Sequence, residues 1–235
     1  IKLIDVNVPI AVVQRAGQKI LPATSALLPQ RGLQDSKFVY VVKPTFSNGR
    51  DPELQYMNLV RLDTVTGDAE YFPRPGEVKA WMLDHKGEPR LATLADKDVQ
   101  TIMYRDPAGG KWRQVASFKM YKDNPNAFVP VAFGPDGTLY VLANTIDDKS
   151  DLHTFDFATG RVSAKPVIKL AGFDFTGSLV TTSDKLLGVR YLSDARSTAW
   201  FDPGMQAVQA KVDALMPSTV NLVSVEVSGF QFRSM

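Results

Sequence analysis

The chain contains a turn-like pattern in Phe155-Asp156-Phe157-Ala158-Thr159-Gly160-Arg161, around which its other segments are arranged. It has an earlier counterpart in Leu62-Asp63-Thr64-Val65-Thr66-Gly67-Asp68. Both contain an apolar residue, Asp, two variable residues, Thr, Gly and a polar residue. The Asp carboxylate can accept hydrogen bonds from the backbone N–H groups that follow it and so start a chain reversal. Gly supplies the positive φ that closes the loop, and the pattern therefore predicts a hairpin turn.

Two weaker copies of this turn occur at a similar spacing along the chain. They are Arg105-Asp106-Pro107-Ala108-Gly109-Gly110 and Phe201-Asp202-Pro203-Gly204. The four aspartates stand at positions 63, 106, 156 and 202, so the steps between them are 43, 50 and 46 residues. One such turn would indicate no more than an ordinary hairpin. Four copies at nearly even spacing, between strand-like runs, are typical of a β-propeller or a similar β array.

The repeat divides the chain into a leading segment, residues 1–36, and a partial propeller, residues 37–235. We expect four units at approximately 37–76, 77–118, 128–168 and 177–217, and the start of a further unit in 220–235. The predicted fold is therefore all-β, with about four four-stranded blades plus part of a further blade. The exception is Met205–Leu215, where apolar residues at helical spacing predict a helix that ends before Pro217.

The composition narrows the classes of function. The 235 residues are 44% hydrophobic and 22% charged, which is ordinary for a globular protein with a buried core. The 27 basic residues form no continuous block and are nearly balanced by 25 acidic residues, so no nucleic-acid partner is expected. No apolar run approaches the length of a membrane span. The absence of cysteine excludes disulfides, thiolate metal sites and a cysteine nucleophile.

The sequence has little that indicates catalysis or metal binding. His85 falls in a predicted tight turn and His153 in a predicted strand, and neither follows a Gly-x-Ser-x-Gly nucleophile elbow, which the chain lacks. The stretch 147–151 is rich in carboxylates, but it has neither the alternation nor the central Gly of a calcium loop. We therefore expect a solvated hairpin loop there, no catalytic residue, no metal and no cofactor.

Arginine and tryptophan side chains are the remaining candidates for a binding site. Arg105, Arg113 and Arg190 are candidates to hold a peptide carboxylate or carbonyl, and the alternative is that they are ordinary arginines at strand ends. Trp81, Trp112 and Trp200 recur along the units. They either line a ligand channel or, as is more common for aromatic residues in blades, pack between sheets.

Several segments resemble one enzyme family in sequence and in order. They are Val78–Asp84 with Gly87 and Arg90, Tyr104–Asp106 with Lys111–Arg113, Phe133–Val141, and Trp200–Pro203 followed by Gln209–Ala214 and Pro217. These segments are similar to the propeller of bacterial prolyl oligopeptidase family serine peptidases, of the subgroup described as dipeptidyl aminopeptidase or acylaminoacyl-peptidase-like. The resemblance covers about residues 37–227.

The resemblance implies a function for a part of a larger enzyme. In that family a propeller of seven or eight blades caps an α/β-hydrolase domain that carries a Ser-Asp-His triad, and it restricts entry to small peptides. The hydrolase half is missing here, so no catalytic residue can be carried over. The implied role is a non-catalytic propeller portion, inactive alone, that gates peptide substrates and docks the hydrolase domain of the same parent polypeptide.

Two other classes of function stay open. The first is a stand-alone β-propeller-like module that binds proteins or peptides, because the fold alone does not select a function. The second is a propeller glycosidase or lyase, which would need paired carboxylates, and Glu53, Glu77 and Glu88 show no such pairing. An open-ended propeller also exposes strand edges, so we expect self-association, most simply as a homodimer. The resemblance leaves the bacterial periplasm and cytoplasm equally open.

Overall fold

The computed structural model describes residues 21–28, 36–120, 124, 126–144 and 149–225. Over these residues the chain forms fifteen strands and one helix, and the strands make four antiparallel sheets. Two compact units are present. The first unit comprises residues 1–83 and 87–117, and the second comprises residues 84–86 and 118–235. The all-β prediction is confirmed.

The strands of the first unit follow one another across each sheet. The first sheet has the order β1 (Ala26–Leu27), β2 (Phe38–Phe46), β3 (Leu54–Asp63) and β4 (Ala69–Tyr71). The second has the order β5 (Val78–Leu83), β6 (Pro89–Asp96), β7 (Val99–Arg105) and β8 (Trp112–Lys119), of which all but the end of β8 belongs to this unit. Both sheets are meanders, in which each strand pairs with its neighbour in sequence.

The core of the first unit lies between its two sheets. Alternate side chains of a strand point to the same face, and here those faces are apolar. The side chains of Leu59 and Val78 are fully buried, and Trp81 and Ala92 pack with them. On the opposite face of the first sheet, Leu21 and three strand residues form a smaller cluster. The leading segment thus contributes Leu21 and strand β1 to this sheet.

The second unit has the same plan. Its four-stranded sheet has the order β12 (Arg161–Val162), β11 (Ser150–Asp156), β10 (Leu139–Asn144) and β9 (Phe128–Phe133). Its other sheet has three strands, β13 (Gly177–Thr181), β14 (Leu186–Leu192) and β15 (Arg196–Trp200). A core cluster joins the two sheets, and its buried members are Tyr140, Leu152, Phe175, Leu179 and Val189.

Helix α1 (Pro203–Leu215) follows β15 and matches the helix predicted from the spacing of apolar residues. Asp202 caps it, because its side chain accepts a hydrogen bond from the backbone N–H of Met205 at 3.0 Å. Pro203 then occupies the first turn, where a missing N–H has no cost. None of the residues of α1 is buried. Over the described ranges, no helix is both long and apolar enough to cross a membrane.

The Asp-Thr-Gly turns have the predicted geometry. In the second unit, the Asp156 carboxylate accepts from the N–H of Ala158 and the hydroxyl of Thr159, both at 2.8 Å. Gly160 has a φ of 68° and donates its N–H to the Asp156 carbonyl. The Thr159 hydroxyl, followed by the Ala158 N–H, lowers the pKa of Asp156 below its ordinary value.

The matching turn of the first unit has an additional ion pair. The Asp63 carboxylate accepts from the N–H groups of Val65 and Thr66, and it lies 2.8 Å from the ammonium of Lys37. The Lys37 hydrogen bond, together with the two backbone bonds, lowers the pKa of Asp63 to about 2. Gly67 closes the turn with a φ of 77°. In both turns the Asp carboxylate accepts from the N–H two residues further on, and the Gly N–H donates to the Asp carbonyl. The copy at Asp202 differs from the prediction, because it caps α1 and forms no hairpin turn.

The sheets differ in detail from the sequence-based expectation. Of the four sheets formed by the described residues, three have four strands, and the fourth has three because its unit continues into the predicted helix α1. Strand β12 ends at Val162, four residues before Pro166, which cannot donate to a ladder. Residues 220–225 form no strand and 226–235 lie outside the described residues, so a further unit stays a prediction.

Candidate functional site

The three candidate arginines are divided between the two units. Arg105 and Arg113 belong to the first unit and Arg190 to the second. The guanidinium of Arg113 lies 5.4 Å from the centre of the Tyr104 ring, where it makes a cation–π contact. Each of the three therefore has its own surroundings, and the predicted role in binding a peptide stays a proposal for each.

Arg105 lies in a charged cluster at the end of the two sheets of the first unit. Its Nη2 is 3.7 Å from a carboxylate oxygen of Glu88, and its guanidinium lies 5.8 Å from the centre of the Trp112 ring. Burial raises the pKa of the nearby Tyr40, and the negative charge of Glu88 adds to the effect. At 3.7 Å, Arg105 and Glu88 form an ion pair that is too long for a hydrogen bond, and the Glu88 side chain is 43% exposed.

Arg61, close to this cluster, is fully engaged. Its Nη2 donates to Glu70 at 2.6 Å, and its guanidinium lies 4.7 Å from the centre of the Phe38 ring. Arg61 and Glu70 are about one third and more than half exposed, so water screens their attraction. The pair holds β3 to β4 across the sheet and leaves little of the Arg61 guanidinium for a ligand.

Arg190 has hydrogen-bonding capacity left over, as does Arg105, whose Nε is likewise buried without a hydrogen-bond partner among the described residues. The Nη2 of Arg190 donates to the backbone carbonyl of Val223 at 2.8 Å. Its Nε is buried and has no hydrogen-bond partner among the described residues, and the same holds for the Oγ1 of Thr198. Thr198 is the residue paired directly with Arg190 across β14 and β15. Sequence reasoning singled out Arg190 but missed Thr198, because only the register of the sheet brings the two together.

Neither histidine has the partners of a catalytic base among the residues that the structure describes. His153 is 1% exposed, and its Nδ1 lies 2.8 Å from the backbone carbonyl of Ser163, to which it must donate. The Ser163 hydroxyl is itself bonded to the Lys165 carbonyl. His85 lies partly exposed in a turn. Within the described part of the chain, no hydroxyl group is hydrogen-bonded to either imidazole, as a serine nucleophile would be.

No metal site is present in the described parts of the chain, where no group of three His, Asp or Glu side chains is placed to hold an ion. Of the carboxylate-rich stretch 147–151, residues 147 and 148 lie outside the described residues. Asp151 is fully buried in β11 and is not part of a solvated loop. The sequence assigned this residue to a loop because Ser150 and Asp151 have low strand propensity, which burial in the sheet overrides.

The three tryptophans take part in packing within their own units. Trp81 and Trp112 meet edge to face with their ring centres 5.8 Å apart, and the Trp81 indole N–H donates to the Met57 carbonyl. Trp200 is 7% exposed and donates to the Gln209 side chain of α1 at 3.1 Å. Gln209 therefore fixes the helix to the end of β15.

Exposed apolar side chains are frequent on α1 and in the segments before and after it in sequence. Large apolar side chains with at least 36% exposure occur between residues 192 and 222 at Leu192, Phe201, Val208, Leu215, Met216, Val220 and Leu222. We call this set the α1 surface. Phe201, Val208 and Leu215 are spaced by seven residues, and Val208 and Leu215 therefore share one stripe of the helix. Leu215, at 82%, is the most exposed of the seven.

Comparisons with known proteins identify the fold and no family. No protein-family model matches the sequence, and no curated protein matches it either. Among solved structures, the crystal structure of TolB from Acinetobacter baumannii is similar, with a TM-score of 0.51 and 16% sequence identity over 79% of this chain. The chain spans only 43% of the length of that β-propeller protein. At this identity the likeness extends to the fold alone: the chain has an all-β, partial β-propeller fold.

Proposed function

We propose that this chain is a non-catalytic β-propeller module that binds other polypeptides. The α1 surface is the observation that carries the proposal. Contiguous apolar patches are rare on proteins that act alone, and they mark sites of protein interaction. Helix α1 has no buried residue and is fixed to β15 through polar side chains, so its apolar stripe adds little to the core. An apolar stripe that does not pack inwards is suited to a partner.

The finer proposal gives this module a place in a larger enzyme. The segments that resemble prolyl oligopeptidase propellers include β5 with the turn after it and the turn between β9 and β10. In this proposal the chain restricts entry to small peptide substrates and binds an α/β-hydrolase domain that carries the serine nucleophile. The nucleophile and its base then lie in the hydrolase domain, which is compatible with the absence of a hydroxyl–imidazole pair in the described residues.

The α1 surface can be tested with two matched double variants. Val208→Glu with Leu215→Glu places two carboxylates in the apolar stripe, whereas Ala207→Glu with Ala214→Glu adds the same charge at exposed positions of the same helix. Each version, expressed in the source organism, is cross-linked in place and its complexes are sized. We expect a cross-linked complex with the unaltered chain and the alanine-site variant, and its loss with the stripe variant. Equal complexes with both variants would contradict the proposal.

The peptidase assignment needs a separate experiment on the native gene product. Extracts of the source organism are treated with a fluorophosphonate probe, and the product is recovered with an antibody to this chain. The finer proposal predicts a labelled polypeptide much heavier than the 25.9 kDa of this chain. An unlabelled product near that mass would reject the peptidase and leave a stand-alone interaction module. The purified chain itself is expected to show no turnover of aminoacyl anilides.

A further inference from the structure

A row of three hydrogen-bonding side chains crosses the three-stranded sheet of the second unit. Arg190 on β14 is paired with Ser178 on β13 and with Thr198 on β15. Residues paired directly across an antiparallel sheet point to the same face. A hydroxyl, a guanidinium and a second hydroxyl therefore stand side by side, although the three residues are far apart in sequence.

The main-chain pattern brings Arg190 and Thr198 close together. The N–H of Phe201 donates to the carbonyl of Leu187 at 2.8 Å. This bond makes Leu187 and Phe201 a hydrogen-bonded pair. Hydrogen-bonded and non-hydrogen-bonded pairs alternate along an antiparallel ladder, and Arg190 and Thr198 lie three pairs further along. They therefore form a non-hydrogen-bonded pair. The Cα atoms of such a pair are about 4.5 Å apart, closer than in the other kind. The two side chains can thus serve one ligand atom.

The row has unused hydrogen-bonding capacity in a buried position. The bond from Nη2 of Arg190 to the Val223 carbonyl fixes the guanidinium in place. The Arg190 Nε and the Thr198 Oγ1 are both buried, and neither has a hydrogen-bond partner among the described residues. A buried donor without an acceptor destabilises the folded protein. A ligand that presents oxygen acceptors here would remove that cost and would bind more tightly as a result.

We propose that Arg190, together with Ser178 and Thr198, binds a carboxylate group, of the kind that ends a polypeptide or an acidic side chain. The donors of a guanidinium lie in one plane and match the two oxygens of a carboxylate. A single arginine also balances the single charge of a carboxylate. Arg196 is exposed and lies two residues before Thr198 on the same face of the sheet. Because a second arginine would favour the higher charge of phosphate, phosphate is the competing oxyanion in the test.

The choice of a polypeptide carboxylate rests on the proposed function, but the binding of a free carboxylate does not. The experiment therefore uses the full chain with labelled arginine side chains and follows the Nε–H signals by nuclear magnetic resonance. N-acetylglycine is titrated at constant ionic strength, beside its uncharged amide and beside inorganic phosphate. We expect a saturable shift of the Arg190 signal with the acid, none with the amide and weaker binding of phosphate.

Two variants test the row itself. Arg190→Lys keeps the charge but removes the planar donors, and Thr198→Val keeps the shape and leaves the Arg190–Val223 contact intact. Each should weaken binding of N-acetylglycine by about tenfold or more, the usual effect of losing a hydrogen bond to a charged group. Arg161→Lys, at an exposed position on β12 of the same unit, is the matched control and should bind as the unaltered chain does.

Three results would overturn the proposal. They are the absence of a saturable shift, an unchanged affinity in Thr198→Val, and phosphate binding that is tighter than binding of the carboxylate. None of these results bears on the α1 surface, which is tested by its own variants. A failure of the carboxylate site can therefore be told apart from a failure of the proposed interaction module.

Discussion

Gly188, in the middle of β14, is a position where one added methyl group should destabilise the second unit. A Cβ placed there would lie 2.5 Å from the backbone carbonyl oxygen of Ala199 and 3.0 Å from the Trp200 ring. Real Cβ atoms do not approach closer than 3.0 Å, so strand β15 would have to move by about 0.5 Å. Overpacking of this kind costs about 1–3 kcal/mol. Because the obstacle is backbone held in a ladder, we expect about 3 kcal/mol for Gly188→Ala.

Thermal unfolding measures this effect. A loss of about 3 kcal/mol in a chain of this size lowers the melting temperature by about 6–12 °C. Circular dichroism with tryptophan fluorescence follows the transition, and Trp200, which is paired with Gly188, reports on the site itself. Gly110→Ala is the control, because its Cβ would meet the nearest atom at an ordinary 3.5 Å. If Gly188→Ala and Gly110→Ala unfold at the same temperature, the argument from close approach is wrong.

Three further predictions concern the turns, the core and the helix cap. The pKa of Asp63 is lowered to about 2, so the stability that its ion pair gives is present above its ordinary value of 3.8 and is lost as the pH falls towards 2. Urea unfolding across this range should therefore show a smaller acid dependence in Asp63→Asn. Leu152→Ala removes a fully buried side chain from the core of the second unit and should lower the free energy of unfolding by about 2–5 kcal/mol, measured by urea titration. Asp202→Ala should destabilise α1 by about 0.5–2 kcal/mol, whereas Asp202→Asn keeps the cap for the Met205 N–H, and helical circular dichroism compares the two.

The turn repeat allowed much of the fold to be predicted, because its residues act locally. Asp156 and Gly160 need only their immediate neighbours to form the turn, so their meaning can be read from the sequence. The same holds for α1, whose cap and apolar spacing lie within one segment. Strand β1 was not predicted as a strand. Its two residues have no alternating pattern, and only pairing with Val41 and Val42 makes them part of the sheet.

The candidate binding site could be predicted only in part, because its members come from three strands. Arg190 was identified from the sequence as a candidate to hold a peptide carboxylate or carbonyl. Its neighbours Ser178 and Thr198 depend on strand register, which a single sequence does not specify. The hydrogen-bonding capacity that Arg190 and Thr198 leave unused depends in addition on the burial of Nε and Oγ1, which a single sequence does not show. The two histidines, by contrast, could be told apart from local sequence, because His85 lies in a turn and is partly exposed, whereas His153 lies in a strand and is buried.

The meander order of all four sheets has a consequence for how this chain is made. Each strand pairs with a strand adjacent to it in sequence, so a sheet is complete as soon as its own residues have left the ribosome. Short separations between partners also keep the entropy of loop closure low, which favours fast pairing for a β protein. New length can therefore be added to the gene in increments of one sheet without disturbing the pairing of any earlier strand.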